Sequence, residues 1–377
     1  MAIYNSMIIW VAAVAFFYTL VAQRRRLAYR LYDQSGEVKR VPLFVAVLVF
    51  GYIIFWAGIR TGYVDTAAYI QGFERITSNL LDIPKYWNFD NKSPGFDTIE
   101  IIFKAIISKD FHMWLMANAL VSGILIMVTL RRRSCDFFYS SFLFITTLNF
   151  TWMLNGIRQF VVASVLFYLS GLIEQRKTAK FIIATLLCAT IHFSALLLIP
   201  VYFFVTDKPF GKKILIFTVI IIVASFLVDS WTSIFDEIFE ETIFDGYIEQ
   251  FEGDDGVNPI RVLVAAVPTI IAFITRKKIE SEAPPFIKMC VNMSIMSVGF
   301  YFLGIFTSGI LVGRLPIFFE LYNLILLPYL IHYCFEKRSV GMVKAVSIAL
   351  YLVFYYLQMS NSYYISDLTG LVGGGLL

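Results

Sequence analysis

Four arginines stand where a membrane chain has least use for positive charge. Arg60, Arg158, Arg261 and Arg314 each touch the end of an apolar run, on the side that most other basic residues of the chain avoid. Arginine keeps its charge at physiological pH, and its planar fork matches phosphate oxygens. Ionisable groups placed this way line a substrate or ion path when they face a bundle interior. Several converging guanidiniums would hold a phosphate-bearing substrate. The plainer alternative is that each caps a helix, snorkels to the interface or pairs with a nearby carboxylate. Arg261, directly behind an acidic stretch, fits that alternative best. His192 lies in Ala189-Thr190-Ile191-His192-Phe193-Ser194-Ala195, with no other large polar group beside it. Imidazole ordinarily titrates near neutrality, which suits proton transfer; the alternative is a satisfied core histidine. Asp65, five residues after Arg60, reads as a general base, an arginine partner or the N-cap of a helix over 66–76. Tyr69, Asn155 and Gln159 offer hydrogen bonds close to these charges. Glu320 follows Arg314 by six residues, a spacing that does not place the two on one helical face.

These residues are positioned by an all-α scaffold. The 377 residues are 59% apolar, 17% aromatic and 15% charged, with a mean hydropathy of +0.74. Soluble domains carry about 45–50% apolar and about 25% charged residues, so a soluble enzyme is excluded and a polytopic transmembrane helical bundle is expected. The net charge of +4 is too small to indicate nucleic-acid binding. Apolar runs predict spans at 3–22, 41–59, 112–130, 136–154, 214–230, 260–275, 286–305, 315–333 and 340–357. The first keeps its basic cluster behind it, unlike a signal peptide, and is expected as a retained span with the N-terminus outside.

Two stretches are awkward: 157–173 is short, and 181–205 is long and contains His192 and Pro200. The positive-inside rule decides between the readings. If 181–205 folds back near His192 as two short helices, 22 of the 31 Lys/Arg lie inside; if it is one straight span, only 14 do. The folded-back reading gives about 12 membrane segments and both termini outside. Residues 181–191 reach only ~16 Å as a helix, half a bilayer, and such half-spans occur only against protein or a water-filled cavity. A cavity is therefore expected near 155–205.

The whole chain reads as a single integral membrane domain, 1–377, with two long outer loops. The first, 60–111, is mixed in charge. The second, 229–259, has ten acidic residues and apolar positions at helical spacing, and predicts an amphipathic surface helix. Cys135, Cys188, Cys290 and Cys334 fit neither a metal site nor a secreted disulfide framework. No Walker loop, Rossmann glycine pattern, HExxH or GxSxG occurs. No metal or cofactor is expected.

Three stretches together resemble the EpsG family of Wzy-type polysaccharide polymerases of bacterial cell envelopes. They are Gly58-Ile59-Arg60 with Asp65 and Tyr69; Asn155-Gly156-Ile157-Arg158-Gln159 leading to Ile191-His192-Phe193-Ser194-Ala195-Leu196; and Gly313-Arg314-Leu315-Pro316 with Phe318-Phe319. Their order covers most of the chain. One departure stands in the first outer loop, where family members often carry an acid just before a Gly–aromatic pair. Here the residues are Ser93-Pro94-Gly95-Phe96, with Asp97 and Glu100 after them.

The resemblance implies a GT-C-like glycosyltransferase architecture in the bacterial cytoplasmic (inner) membrane, with the active site facing outward. It implies donor and acceptor oligosaccharides linked to undecaprenyl pyrophosphate, membrane lipid and a chain-length regulator protein as partners, and no nucleic acid. The donor carries its own leaving group, so transfer to an acceptor hydroxyl needs neither nucleotide nor metal. On this basis Arg60, Arg158 and Arg314 are expected to hold pyrophosphate, and His192 or Asp65 to take the hydroxyl proton. Tyr69, Asn155, Gln159 and Glu320 are expected to orient sugar or phosphate. A lipid-linked oligosaccharide flippase would also use arginines and a broken helix; an O-antigen ligase would share the chemistry and differ in acceptor; a membrane acyltransferase would use a lone histidine base.

Overall fold

The computed structural model describes residues 2–24, 40–88, 90–227, 256–307, 312–360 and 362–373. They are almost entirely helical, and five helices are long and apolar enough to cross a membrane: α1 (Ala2–Arg24), α6 (Phe111–Arg133), α15 (Pro285–Ile305), α16 (Ile317–Cys334) and α17 (Lys337–Met359). A sixth span is available if α13 (Pro259–Ile274) and α14 (Arg276–Glu282), bent by 71° at Thr275, act together. The remaining helices are shorter: α2 (Leu43–Gly58), α3 (Thr66–Arg75), α4 (Ile83–Tyr86), α5 (Pro94–Ile106), α7 (Phe137–Thr146), α8 (Ile157–Tyr168), α9 (Gly171–Glu174), α10 (Thr178–Ala189), α11 (Leu198–Val205) and α12 (Lys212–Phe226). A small hairpin, β1 (Tyr364–Ser366) with β2 (Leu371–Gly373), follows α17. The acidic stretch predicted at 229–259 lies outside the described residues except for 256–259.

The chain groups into two compact units, Met1–Leu169 with Ile183–Ala195 and Ile331–Leu377, and Ser170–Ile182 with Leu196–Leu330. In the first, α2 packs along α6 and α6 along α8. Ala119, Ser122 and Gly123 on the buried stripe of α6 allow this close approach; a Cβ at Gly123 would drive into Ile54 of α2. Two faces of this unit are recognisable. On one, Tyr4 Oη donates to the Tyr363 carbonyl, Ser366 Oγ donates to the Ile59 carbonyl, and Gly62 pairs with Ile365. On the other, Arg131 Nε donates to the Val41 carbonyl, and buried Asp136 binds Lys344 and His332. Within this unit α2 therefore runs from the second face to the first, and α6 ends at the second. In the second unit α15 packs against α12 and α13.

Two broken segments shape the middle of the chain. The span predicted at 136–154 is not one helix. It stops at Thr146, turns through Leu148 at a φ of 66°, and resumes as a 3₁₀ turn over Asn149–Met153. The fold-back expected in 181–205 is visible at its ends. Thr178 Oγ1 lies 2.7 Å from Tyr202 Oη, Phe181 stacks on Tyr202, and Arg176 donates to the Thr206 carbonyl. In a straight helix residues 178 and 202 would be about 36 Å apart. The turn falls at 190–192, and His192 is in it.

Candidate active site

Gly156 makes the start of α8. Its φ of +69° turns the chain out of the 3₁₀ segment, a conformation that only glycine adopts without strain. Arg158 then sits in the first turn of α8, where exposed N–H groups already carry partial positive charge. A cation there works against the helix, so Arg158 is not a helix cap. It donates from Nη1 to Ser93 Oγ at 3.0 Å, and its guanidinium carbon lies 5.9 Å from the Tyr69 ring centroid and 5.7 Å from that of Phe96. These contacts hold the fork in one direction and satisfy only part of its five donors.

The His192 turn is pinned to the same place. Gly95, second residue of α5, donates its N–H to the Thr190 carbonyl at 2.8 Å. Ile191 packs on the buried cluster of Phe73, Phe96, Trp114 and Ile157. His192 Nδ1 lies 2.7 Å from Ser194 Oγ, and Gln159 Nε2, on the residue after Arg158, donates to that same oxygen at 3.2 Å. Gln159 and His192, 33 residues apart in sequence, thus share a serine. Both are predicted site residues, and Ser194 links them.

Arg60 is buried where the exit of α2 meets the 3₁₀ segment. It is 1% exposed, and it donates from Nε to the Leu154 carbonyl and from Nη1 to the Ala57 carbonyl. Those carbonyls belong to the end of α2 and the end of the 3₁₀ turn, where helical partners run out. Burial brings the guanidinium down to about 10, against Tyr364 and Tyr69, so it stays charged at neutral pH. Nη2 has no hydrogen-bond partner. Arg60 therefore ties the exit of α2 to the chain just ahead of Arg158.

The helix predicted after Asp65 is α3, and Asp65 stands at its N-cap, but its carboxylate makes no capping hydrogen bond. The residue before it, Val64, has a φ of 39°, strained for a β-branched side chain. Asn155 Oδ1 is buried without a partner. Arg314 and Glu320 belong to the second unit. Arg314 lies in the turn ahead of α16, and Glu320 is hydrogen-bonded to Tyr301 with Arg261 close enough to act on it. Ser93 was missed as a site residue: it is 65 residues from Arg158, and nothing local in the sequence marks the contact. Among the described residues no cluster of His, Cys, Asp and Glu could hold a metal ion.

The model of the EpsG family matches residues 43–369, nearly the whole chain and every element of this site. The chain belongs to the EpsG family. Membership places it among multi-pass membrane polysaccharide polymerases, whose substrates are lipid-linked saccharides. Searches of curated proteins and of solved structures returned no match. In this EpsG-family chain the two motifs that lie in the first unit, around Arg60 and around Arg158–His192, meet through the Leu154 carbonyl and the start of α5.

Proposed function

We propose that this EpsG-family protein transfers a glycan from one undecaprenyl-pyrophosphate carrier to a hydroxyl of a second lipid-linked repeat unit, at the outer face of the bacterial cytoplasmic membrane. About 12 membrane segments in a single GT-C-like domain, with both termini and the 60–111 and 229–259 loops outside, accommodate this reading. The observation that carries it is Arg158 at the N-terminal turn of α8, with the Gln159–Ser194–His192 chain of contacts beginning one residue later.

In the reaction the acceptor oxygen bonds to the donor's anomeric carbon as the bond to pyrophosphate breaks. The bonding electrons go to the pyrophosphate oxygen, and the hydroxyl proton goes to a base. Negative charge grows on the leaving group, and donors already aimed at it stabilise it without reorganising, an effect worth about 10²–10³-fold per donor. Arg158 and the α8 N-terminus supply that positive potential, and Arg314 is a second pyrophosphate ligand on the sequence argument. His192 is the base. With Nδ1–H donated to Ser194 Oγ, which also accepts from Gln159, the Nε2 lone pair is the basic site. Asp65 is the second candidate for the base. Tyr69 and Asn155 orient sugar or phosphate, Glu320 is kept as an orienting residue on the sequence argument, and Arg60 positions the segment that carries Arg158. No metal or cofactor enters the scheme.

The test is an assay with purified protein and lipid-linked repeat unit in detergent, with products resolved on a gel. A ladder is expected, and Arg158→Ala and His192→Ala are expected to abolish it at normal protein level and membrane insertion. Full-length polymer from both variants would overturn the site. Transport of the lipid-linked unit across vesicles without extension would show a flippase instead.

A further inference from the structure

The C-terminal hairpin has no part in the scheme above, yet it is seated on the exit of α2 from which Arg60 reaches the site. Tyr364 Oη donates to the Trp56 carbonyl and Ser366 Oγ to the Ile59 carbonyl. The Thr61 N–H donates to the Ile365 carbonyl at 2.8 Å, and the Ile365 N–H to the Gly62 carbonyl at 3.0 Å. Hydrogen bonds from the hairpin therefore fall on both sides of Arg60. A two-stranded hairpin is marginal on its own, so this one depends on what it is seated against. Its turn, residues 367–370, is exposed. Asp367 ties that turn to a long helix. Its two carboxylate oxygens each lie 3.0 Å from Nε2 of His112, the second residue of α6 and 255 residues away in sequence. On the other side of the ring, His112 Nδ1 lies 2.7 Å from Asp110 Oδ1, which also caps α6 by accepting the His112 backbone N–H.

These distances fix the protonation state that the contact needs. Neutral imidazole carries one N–H and would set its remaining lone pair against a carboxylate; the imidazolium donates from both nitrogens. The charged groups that face the ring are Asp110, from the cap of its own helix, and Asp367, from the hairpin turn. The His112 backbone N–H and ring hold the Asp110 carboxyl below the usual carboxylate range, so it is ionised wherever the ring titrates. We propose that His112, charged and held between Asp110 and Asp367, latches the C-terminal hairpin onto α6, and that the seated hairpin is a positioning element for the pyrophosphate site. The path runs from Asp367 through the pairing of β1 with Thr61 and Gly62 to Arg60, whose Nε bond to the Leu154 carbonyl fixes the chain just ahead of Arg158. The latch loosens as the ring gives its proton to solvent. The positioning role rests on the assignment of Arg158 to pyrophosphate; the latch does not.

Hydrogen exchange of the full-length purified protein, followed in peptides covering residues 56–63 and 362–368, reads how often the hairpin opens. The comparison is with His112→Gln, which carries no charge at any pH, and the ratio of the two proteins cancels the intrinsic pH dependence of exchange. The latch is fully present where the ring is protonated both seated and released, and it is lost as pH rises through the titration of the seated ring. Both carboxylates are about half exposed, which sets the scale at that of a solvent-exposed ion pair. Exchange in the wild type is expected to be about fivefold slower than in the variant at pH 5.5 and to match it by pH 9. A ratio that does not change with pH overturns the latch. Asp367→Asn leaves the ring in place and is expected to exchange faster than the wild type at pH 5.5; wild-type protection in it overturns the latch as well. Positioning is read by reciprocity: a hairpin whose seating favours pyrophosphate binding must in turn be held seated by bound pyrophosphate. Saturating undecaprenyl pyrophosphate is expected to slow exchange in residues 362–368 by about fivefold or more in the wild type, and to leave Arg158→Ala unchanged. Binding without slowing overturns the positioning role. Failure of the wild type to bind overturns the pyrophosphate assignment and the positioning role together, and the pH ratio still decides the latch.

Discussion

Replacing Gly95 with alanine tests how the site is assembled while leaving every charged group in place. Gly95 is where α5 meets the His192 turn, through the 2.8 Å bond from its N–H to the Thr190 carbonyl. A Cβ added there would lie 2.8 Å from Thr190 Cβ and 3.0 Å from its carbonyl carbon, and would overlap the hydroxyl, where ordinary contact begins near 3.4 Å. The hydroxyl can swing away by giving up its bond to the Leu187 carbonyl. The other two atoms are part of the turn, so the turn itself must retreat by about half an ångström. Catalytic groups tolerate about 0.5 Å of displacement, and an error of about 1 Å costs about 10²-fold in rate. We expect Gly95→Ala to slow polymerisation by about 10–100-fold in the ladder assay. Overpacking would cost about 1–3 kcal/mol of stability, so the protein should still insert and purify. Adding Thr190→Gly removes both side-chain atoms from the clash and should return most of the rate. Wild-type rates from Gly95→Ala alone would show that the His192 turn need not sit against α5.

Two further substitutions separate scaffold from chemistry. Arg60→Met keeps an unbranched side chain, leaves the Ala57 carbonyl short of a donor, at about 1–3 kcal/mol, and leaves the Leu154 carbonyl only the Thr66 hydroxyl at 3.4 Å; a lower melting temperature in detergent is expected. A variant as stable as the wild type that fails to bind undecaprenyl pyrophosphate would instead place Arg60 against substrate. Asp136→Asn should destabilise by about 2 kcal/mol, below the figure for a fully buried pair because Lys344 is 31% exposed. Polymerisation per folded molecule should not change, because Asp136 is on the face of the unit opposite to Arg60; lost activity at full stability would refute that separation.

The fold-back of 181–205 was legible because charge and apolar length are additive along a sequence. The fold-back near His192 follows from counting bases on each side, since a straight helix would have put most of them on the wrong one. The break at Leu148 was not legible. Residues 136–154 read as one run because Thr146, Thr147, Asn149 and Thr151, which gather at the break, are small polar residues that a membrane helix tolerates. The burial of Arg60 was illegible for a similar reason. Its sequence context shows a base leaving the membrane, whereas its use depends on two carbonyls, one of them 94 residues away, that lose helical partners at the same point. Glu100 was visible as an acid in the first outer loop, but its burial between α5, α6 and the cluster around Trp114 is a property of packing.

The local energetics around Arg158 are consistently unfavourable, and this is itself an argument about function. A cation in the first turn of α8 opposes the helix dipole by about 0.3–1 kcal/mol. Gly156 ahead of it provides no side-chain cap. Val64 is held in a left-handed conformation beside Asp65, and the Asn155 carbonyl oxygen is buried without a partner. Helix, backbone and polar burial would each be better served by other residues at these positions. Such features persist in a fold when the surrounding structure enforces them, and they gather where a ligand is to be met. An anion bound at the start of α8 would reverse the first of these costs and take up the remaining guanidinium donors. On the proposed function the site is built for its occupied state, and binding pyrophosphate should raise the melting temperature of the wild type more than that of Arg158→Ala.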